Sequence, residues 1–323
     1  MRTIPRIKFT QLPTPVEALP RLTAELGGPQ ILVKRDDLTG LAFGGNKTRK
    51  LEYLLAEAKS HGAQTIITTG AVQSNHCRQT AAACARLNFD CILVLSGEKP
   101  PSATGNLMLD LLFNAKVIWT THQDRDQVLE QTYQKAWELG QRPYMIPYGG
   151  SNTIGATAYV FAMKELLDQN YQPDWIIIAS SSGGTQAGLV TGAGLFGFKG
   201  KVLGISVDET EADLQTRVAS LASATADTLG EKIIFLPQDI LVSADYLGGG
   251  YGVMGAPEFE SIRLFARLEG LLLDPVYTGR AAAGLIDLIQ KGYFKPEESV
   301  LFWHTGGTPA LFSEKYASLA GAI

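Results

Sequence analysis

Nine short runs of apolar and β-branched residues recur along the chain: Ile31–Lys34, Thr65–Thr68, Cys91–Leu95, Lys116–Trp119, Tyr144–Pro147, Trp175–Ala179, Lys201–Val207, Lys232–Phe235 and Ser299–Trp303. Between most of them lie longer stretches with helical spacing: Arg49–Ser60, Arg78–Leu87, Gln127–Leu139, Ile154–Asp168, Gln186–Leu195, Pro257–Glu269 and Gly279–Lys291. Strands that are apolar at nearly every position must be covered on both faces. Their alternation with helices therefore points to an α/β fold with a parallel sheet between helical layers. Right-handed crossovers bring the loops that follow strands to one edge of the sheet, where ligands bind in such folds.

The chain has 323 residues, which calls for two domains or one large α/β unit. Hydrophobic residues make up 45% and charged residues 19%, the balance of an ordinary soluble globular protein. The formal net charge is −4 and no basic stripe appears, which argues against nucleic acid as a partner. The stretch from Trp175 to Phe198 lacks charge, but Ser180-Ser181-Ser182-Gly183-Gly184-Thr185-Gln186 at its centre reads as a polar loop between strand and helix, not as a membrane span. Three cysteines, Cys77, Cys84 and Cys91, with no secretory signal, fit reduced thiols in the cytoplasm. Cys77 and Cys84 share a helical face, which reads as packing, and no spacing here asks for a metal.

Polar, glycine-rich segments sit where the fold would bring them together: Gly44–Lys47, Gly70–Asn75, Gly149–Asn152, Ser180–Thr185 and Thr305–Thr308. Lys47 follows a glycine pair at a helix start, where the positive end of the helix dipole favours the neutral amine that carbonyl chemistry needs; a solvated lysine is the plain alternative. Asn46 stands where a Walker phosphate loop requires glycine, so that reading fails. Ser74 and Asn75 can cap a helix whose first N–H groups face an anion, or can simply be caps. The loop Ser182-Gly183-Gly184-Thr185 lets backbone close on a phosphate while its hydroxyls donate. Gly192-Ala193-Gly194-Leu195-Phe196-Gly197 matches a dinucleotide-binding string but lies at a helix end, so it reads as a helix stop. No nucleophile elbow surrounds Ser74, which removes the Ser-His-Asp reading.

Five segments together, Phe43-Gly44-Gly45-Asn46-Lys47, Gln73-Ser74-Asn75-His76, Ser182-Gly183-Gly184-Thr185, Asp274-Pro275-Val276-Tyr277 and His304-Thr305-Gly306-Gly307, resemble the D-cysteine desulfhydrase and aminocyclopropane-carboxylate (ACC) deaminase group of pyridoxal-phosphate (PLP) enzymes, of the tryptophan-synthase-β type (fold type II). The resemblance runs from Thr14-Pro15 to Pro309-Ala310. It implies a large PLP-binding domain (1–50 and 156–323), a smaller inserted α/β domain (51–155) and a homodimer. It implies Lys47 as the Schiff-base lysine, and Lys50 with Ser182, Gly183, Gly184 and Thr185 at the phosphate. Asn75 would bond the ring hydroxyl, and Ser74, Asn75 and His76 would receive the substrate carboxylate. Tyr251 and Tyr277 would flank the substrate.

The ACC deaminases of this group are expected to carry Glu directly after the tyrosine matched by Tyr277, keeping the pyridine nitrogen protonated. Here the residue is Thr278, with Thr305 nearby. A neutral hydroxyl leaves the ring a weaker electron sink, which suits expulsion of a thiol better than opening of a cyclopropane. The expectation is thus β-elimination of D-cysteine to pyruvate, hydrogen sulfide and ammonia, with Lys47, Ser74, Tyr251 and Tyr277 as the catalytic set. ACC deamination, L-cysteate sulfo-lyase activity and a non-catalytic PLP-binding protein are the alternatives.

Overall fold

The computed structural model describes residues 1–317. The strands are β1 (Val16–Ala18), β2 (Gln30–Arg35), β3 (Thr65–Ala71), β4 (Asp90–Ser96), β5 (Lys116–Thr120), β6 (Pro143–Met145), β7 (Trp175–Ser180), β8 (Lys201–Ser206), β9 (Leu241–Ser243) and β10 (Ser299–His304). The helices are α1 (Pro20–Leu26), α2 (Asn46–Ser60), α3 (Asn75–Leu87), α4 (Gly105–Leu112), α5 (Arg125–Glu138), α6 (Thr153–Asp168), α7 (Gly184–Phe196), α8 (Glu211–Thr228), α9 (Ala256–Glu269) and α10 (Thr278–Gln290). One sheet has the order β1-β2-β10-β7-β8-β9 and is parallel except where β1 meets β2. The other, β5-β4-β3-β6, is parallel throughout and is built within residues 65–145.

The apolar runs are continuous because each strand feeds two cores. In the six-stranded sheet Ile31, Val33, Ile177, Ile205, Val300 and Phe302 pack into one core with α9 and α10. Their neighbours Leu32, Ile176, Ile178, Leu301 and Trp303 face the other side, under α6 and α7. The four-stranded sheet repeats the pattern, with Ile66, Leu93 and Leu95 against α2 and α3, and Ile67, Ile92 and Val94 against α5. Period-two alternation thus divides apolar residues between two buried faces rather than between core and water. Cys77 and Cys84 both lie in the core under α3 and are buried thiols.

Six segments depart from the sequence reading. Lys232–Phe235 is not a strand: Ile233 and Phe235 lean on Gly194 of α7 while Ile234 is 79% exposed, so the segment is extended but joins no ladder. The edge strand beside β8 is β9 instead. The longest helix, α8, was missed because its Ala, Ser and Thr content blurs the apolar stripe. Its start was legible: the Thr210 hydroxyl accepts from Asp213 N at 3.2 Å, a cap with an acidic residue three positions on. The three-residue strand β1 and the short helices α1 and α4 are also additions.

Two glycine loops bring the start of α2 against the end of β10. Gly44 and Gly45 have φ of 63° and 122°, conformations that disfavour a side chain. A Cβ on Gly306 would sit 2.8 Å from the Gly45 Cα, and Asn46 N donates to Thr305 O at 3.0 Å.

Candidate active site

The ends of strands from both sheets enclose a single cavity. Asn46 and Lys47 reach it from α2; Ser74, Asn75 and His76 follow β3; Tyr148 and Gly149 follow β6. Ala179 through Gly183 and Thr185 come from the end of β7 and the start of α7, Thr305 from the end of β10, and Tyr277 precedes α10. Six segments far apart in sequence meet here because parallel strands all point their carboxyl ends the same way.

Two lysines form the cationic floor. Lys47 Nζ donates to Gly149 O at 3.1 Å, and Lys50 Nζ donates to the same oxygen at 3.2 Å and to Ser151 Oγ at 3.2 Å. Among the described residues no carboxylate lies within ion-pair distance of either. Burial pushes the Lys47 amine down to about 8, and burial with the neighbouring Lys47 charge pushes Lys50 well below its ordinary value. Burial and the same two lysines hold His76 well below the usual imidazole range.

The His76 ring is fixed by what lies behind it. Thr68 Oγ1 donates to Ile146 O at 2.8 Å, so at 2.9 Å from His76 Nε2 it accepts the ring proton. The buried Nδ1 then carries a lone pair and has no hydrogen-bond partner among the described residues. On the same helix start, Ser74 Oγ accepts from Cys77 N at 3.2 Å. Asn75 Oδ1 accepts from Asn106 Nδ2 at 2.8 Å, while Asn106 also donates to Gln73 O at 2.8 Å. Asn106 thus orients the Asn75 amide, a role with no local signal in the sequence.

Across the cavity the hydroxyls of Tyr251 and Tyr277 meet at 2.6 Å. Tyr148 lines the same cavity as Ser181 and Tyr277, and burial raises its phenol above the ordinary value. Burial, with the nearby Tyr148 phenol, raises both Tyr251 and Tyr277 well above the ordinary phenol value, so they stand as neutral proton donors. Tyr148 was not singled out by sequence reasoning, although the glycine pair beside it was.

A family model described as pyridoxal-phosphate dependent enzyme matches residues 7–306. The chain belongs to this family. Among solved structures, an ACC deaminase homologue is 37% identical, with a TM-score of 0.90 over 99% of this chain and 97% of that one. A hydrogen sulfide-producing enzyme from Fusobacterium nucleatum is 17% identical, with a TM-score of 0.66 over 94% and 96%, and shares the fold.

The cavity fits the cofactor of this PLP-dependent enzyme. Two desolvated lysines without acidic partners call for an anion and supply an amine able to meet an aldehyde. Helix α7 begins at Gly183, with φ of 80° and no side-chain cap, so its first N–H groups remain free for a phosphate. Ser151 Oγ and Ser182 Oγ, 2.8 Å apart, stand beside it. A Cβ on Gly184 would sit 2.5 Å from Ser151 Oγ, so the cradle admits only glycine there. Asn46 Nδ2 donates to Thr185 Oγ1 at 3.0 Å, tying that cradle to the lysine helix.

Most of the residues singled out from sequence converge: Lys47, Ser74, Asn75, His76, Tyr277, Ser182, Gly183, Thr185 and Thr305 line the cavity, and Lys50, Gly184 and Tyr251 stand directly behind those walls. Thr278 is the one that turns away. It is fully buried, and its hydroxyl donates to Asp274 Oδ1 at 2.8 Å and accepts from Asp274 N at 2.7 Å. The hydroxyl expected at the cofactor ring is spent closing the turn that starts α10. At His76 the Nδ1 lone pair repels a carboxylate, so this residue would serve such an anion through the backbone N–H groups of the helix start rather than through its ring.

Proposed function

We propose that the chain is a carbon–sulfur lyase that eliminates the β-substituent of D-cysteine, giving pyruvate, hydrogen sulfide and ammonia. The observation that carries the reading is a cavity lined both by a desolvated lysine amine and by Tyr277, whose hydroxyl meets that of Tyr251 behind the wall. An elimination needs a base for the α-proton and an acid for the leaving group, and these are the two. Bound PLP supplies the electron sink that makes the α-proton removable. Lys47 holds the cofactor and then takes that proton on Nζ. Ser74 and the N–H groups at the start of α3 hold the substrate carboxylate. The Tyr251–Tyr277 pair delivers a proton to the departing sulfur. Lys50, Ser182, Gly183, Gly184 and Thr185 hold the phosphate, and Asn75 the ring hydroxyl. A homodimer in the cytoplasm and an inserted lobe of residues 51–155 belong to the same proposal, and light scattering reads the first.

Two observations rank the substrates. Position 278 offers no carboxylate, and its hydroxyl is engaged by Asp274, which supports a weaker sink and a good leaving group. No arginine lines the cavity, so a sulfonate lacks the bidentate partner that L-cysteate would need. The likeness to an ACC deaminase homologue keeps ring opening of ACC as the second reading. Pyruvate release from D-cysteine, L-cysteine, L-cysteate and ACC separates them. Release from D-cysteine alone supports the proposal, and release from ACC alone overturns it. Visible cofactor absorbance without turnover on any of the four would make this a PLP-binding protein that does not catalyse.

A further inference from the structure

Arg78 is a buried cation to which the reaction above gives no part. It lies on α3, one turn after Asn75, and is shut off from solvent. Among the described residues no carboxylate lies within ion-pair distance of it. Its hydrogen bonds go to two neutral oxygens instead: Nη1 donates to Asn106 Oδ1 at 3.2 Å, and Nη2 donates to Gly44 O at 2.9 Å. A buried charge without an ion pair costs stability, so packing alone does not account for an arginine here. Burial draws the guanidinium down to about 10, against the charges of Asp110 and Asp274, and it stays a cation at neutral pH.

The bond to Asn106 fixes the polarity of everything beyond it. A guanidinium has donors only, so the Asn106 atom that meets it is the amide oxygen. The Asn106 nitrogen then faces Gln73 O and Asn75 Oδ1, both at 2.8 Å. Gln73 O is a carbonyl and only accepts, which demands the same orientation. With Asn106 donating, the Asn75 atom opposite is its oxygen. The Asn75 nitrogen is thus the end left for the cavity, which Asn75 lines. The loop after β10 makes room for it: Gly307 has φ of 108°, and a Cβ there would sit 2.8 Å from Asn75 Nδ2. The other arm of Arg78 holds the loop ahead of Lys47, where Gly44 O also accepts from Gln79.

Resting on the assignment of Asn75 to the ring hydroxyl of PLP, we infer that Arg78 and Asn106 are positioning residues that, through Asn75, present the ring oxygen with an N–H donor and never with an acceptor. A donor stabilises the ionised oxygen, whereas an acceptor would stabilise the hydroxyl. The strut therefore selects the ionised ring oxygen, and it does so from α3 and α4, without touching the cofactor. An ionised oxygen on a conjugated ring absorbs at longer wavelength than the neutral hydroxyl, so the bound cofactor reports the choice without any turnover.

The test is Asn106→Asp, an isosteric change, in the PLP-loaded protein. A carboxylate has acceptors only, so Asn75 must turn over to meet it and leave its own oxygen for the ring. The ratio of the visible to the near-ultraviolet band should fall about tenfold, the effect of about one pKa unit on the ring oxygen. In an Asn75→Ala background the same change should move the ratio by less than about twofold, because nothing remains to carry it. Arg78→Met should shift the parent ratio the same way by about threefold, the lower end of what one hydrogen bond is worth, since Gln73 O still holds the Asn106 amide. Thermal midpoints show which variants are folded; should Asn106→Asp not be, Asn106→Leu is read in both backgrounds in the same way. A ratio that stays put in the Asn106 variants, or moves equally in both backgrounds, overturns the strut. An unmoved ratio in Arg78→Met removes Arg78 from it. A ratio that Asn75→Ala itself leaves unchanged sinks the assignment of Asn75 to the ring hydroxyl, and the strut with it.

Discussion

Helix α2 carries two buried cationic groups that are opposites in construction. Arg49 faces the scaffold: it donates to Asp36 Oδ2 at 3.0 Å through Nε, to Asp36 Oδ1 at 2.7 Å through Nη2 and to Glu165 at 2.9 Å. Asp36 also accepts from Tyr159 at 2.6 Å, Trp303 at 2.9 Å and Thr14 at 2.9 Å. Burial opposes the Asp36 charge, yet Arg49 and Lys34 outweigh it and hold the carboxyl below its ordinary value. Lys47 and Lys50, two residues before and one after, turn to the cavity and meet no carboxylate among the described residues. Successive residues on a helix point about 100° apart, so one turn can serve both purposes. Paired burial keeps charges fixed and locks α2 to the six-stranded sheet. Unpaired burial leaves amines that lose their charge easily and are satisfied only by what binds.

The comparison breaks most sharply at Lys47. Lys47→Ala should lower turnover by about 10²–10⁴-fold, the range expected when a general base is lost, and should abolish the visible band of covalently held cofactor while leaving thermal unfolding close to the parent. Turnover undiminished with the band intact would remove Lys47 from the chemistry. The scaffold cluster should respond in the opposite sense. Asp36→Ala strands Arg49 and Lys34 in the interior and should cost about 3–5 kcal/mol in urea unfolding, the penalty for breaking a buried pair. A loss near that of an exposed ion pair, about 1 kcal/mol or less, would show that Arg49 finds other partners and that the two clusters differ less than their geometry suggests.

Lys50 sharpens the contrast from the cavity side. Lys50→Met keeps the length of the side chain and removes its charge. Loss of one hydrogen bond to a charged group, about 1.5–3 kcal/mol, should weaken PLP affinity about 10–100-fold in an absorbance titration. Inorganic phosphate should raise the thermal midpoint of the parent apoprotein and leave this variant unmoved. Equal protection of both would locate the phosphate elsewhere.

What the sequence disclosed, and what it hid, follows the same division. The strand–loop–helix units were legible because each is local: β3 with Ser74, β7 with Gly183, β10 with Thr305. Lys47 stood out through the glycine pair that precedes it, whereas Lys50 came only from the family resemblance. Residues whose role depends on another element were silent. Asn106 acts on Asn75 from α4, Tyr148 comes to line one cavity with Tyr277 only where the ends of both sheets meet, and Asp208 touches Ser181 across neighbouring strands. Thr278 was misplaced for the same reason: its position after Tyr277 was correct, but Asp274, four residues earlier, captures its hydroxyl. The Lys232–Phe235 segment has the alternation of a strand, but its apolar residues lean on α7 and no ladder forms. Apolar pattern reports which residues are buried, not which backbone pairs.

The pH response completes the contrast. With its amine at about 8, Lys47 in the apoprotein is mostly ammonium at pH 7 and mostly neutral at pH 9. Only the neutral amine attacks an aldehyde. The rate at which apoprotein captures PLP should therefore rise with pH, up to tenfold per unit below pH 8, and level off above it. An ordinary solvated lysine, at about 10.4, would keep rising through pH 9. Stopped-flow absorbance between pH 6.5 and 9.5 reads the midpoint directly. A rise that continues unbroken to the upper limit would mean that the cavity stays wet enough to keep Lys47 charged, and the distinction between the two faces of α2 would then rest on partners alone and not on desolvation.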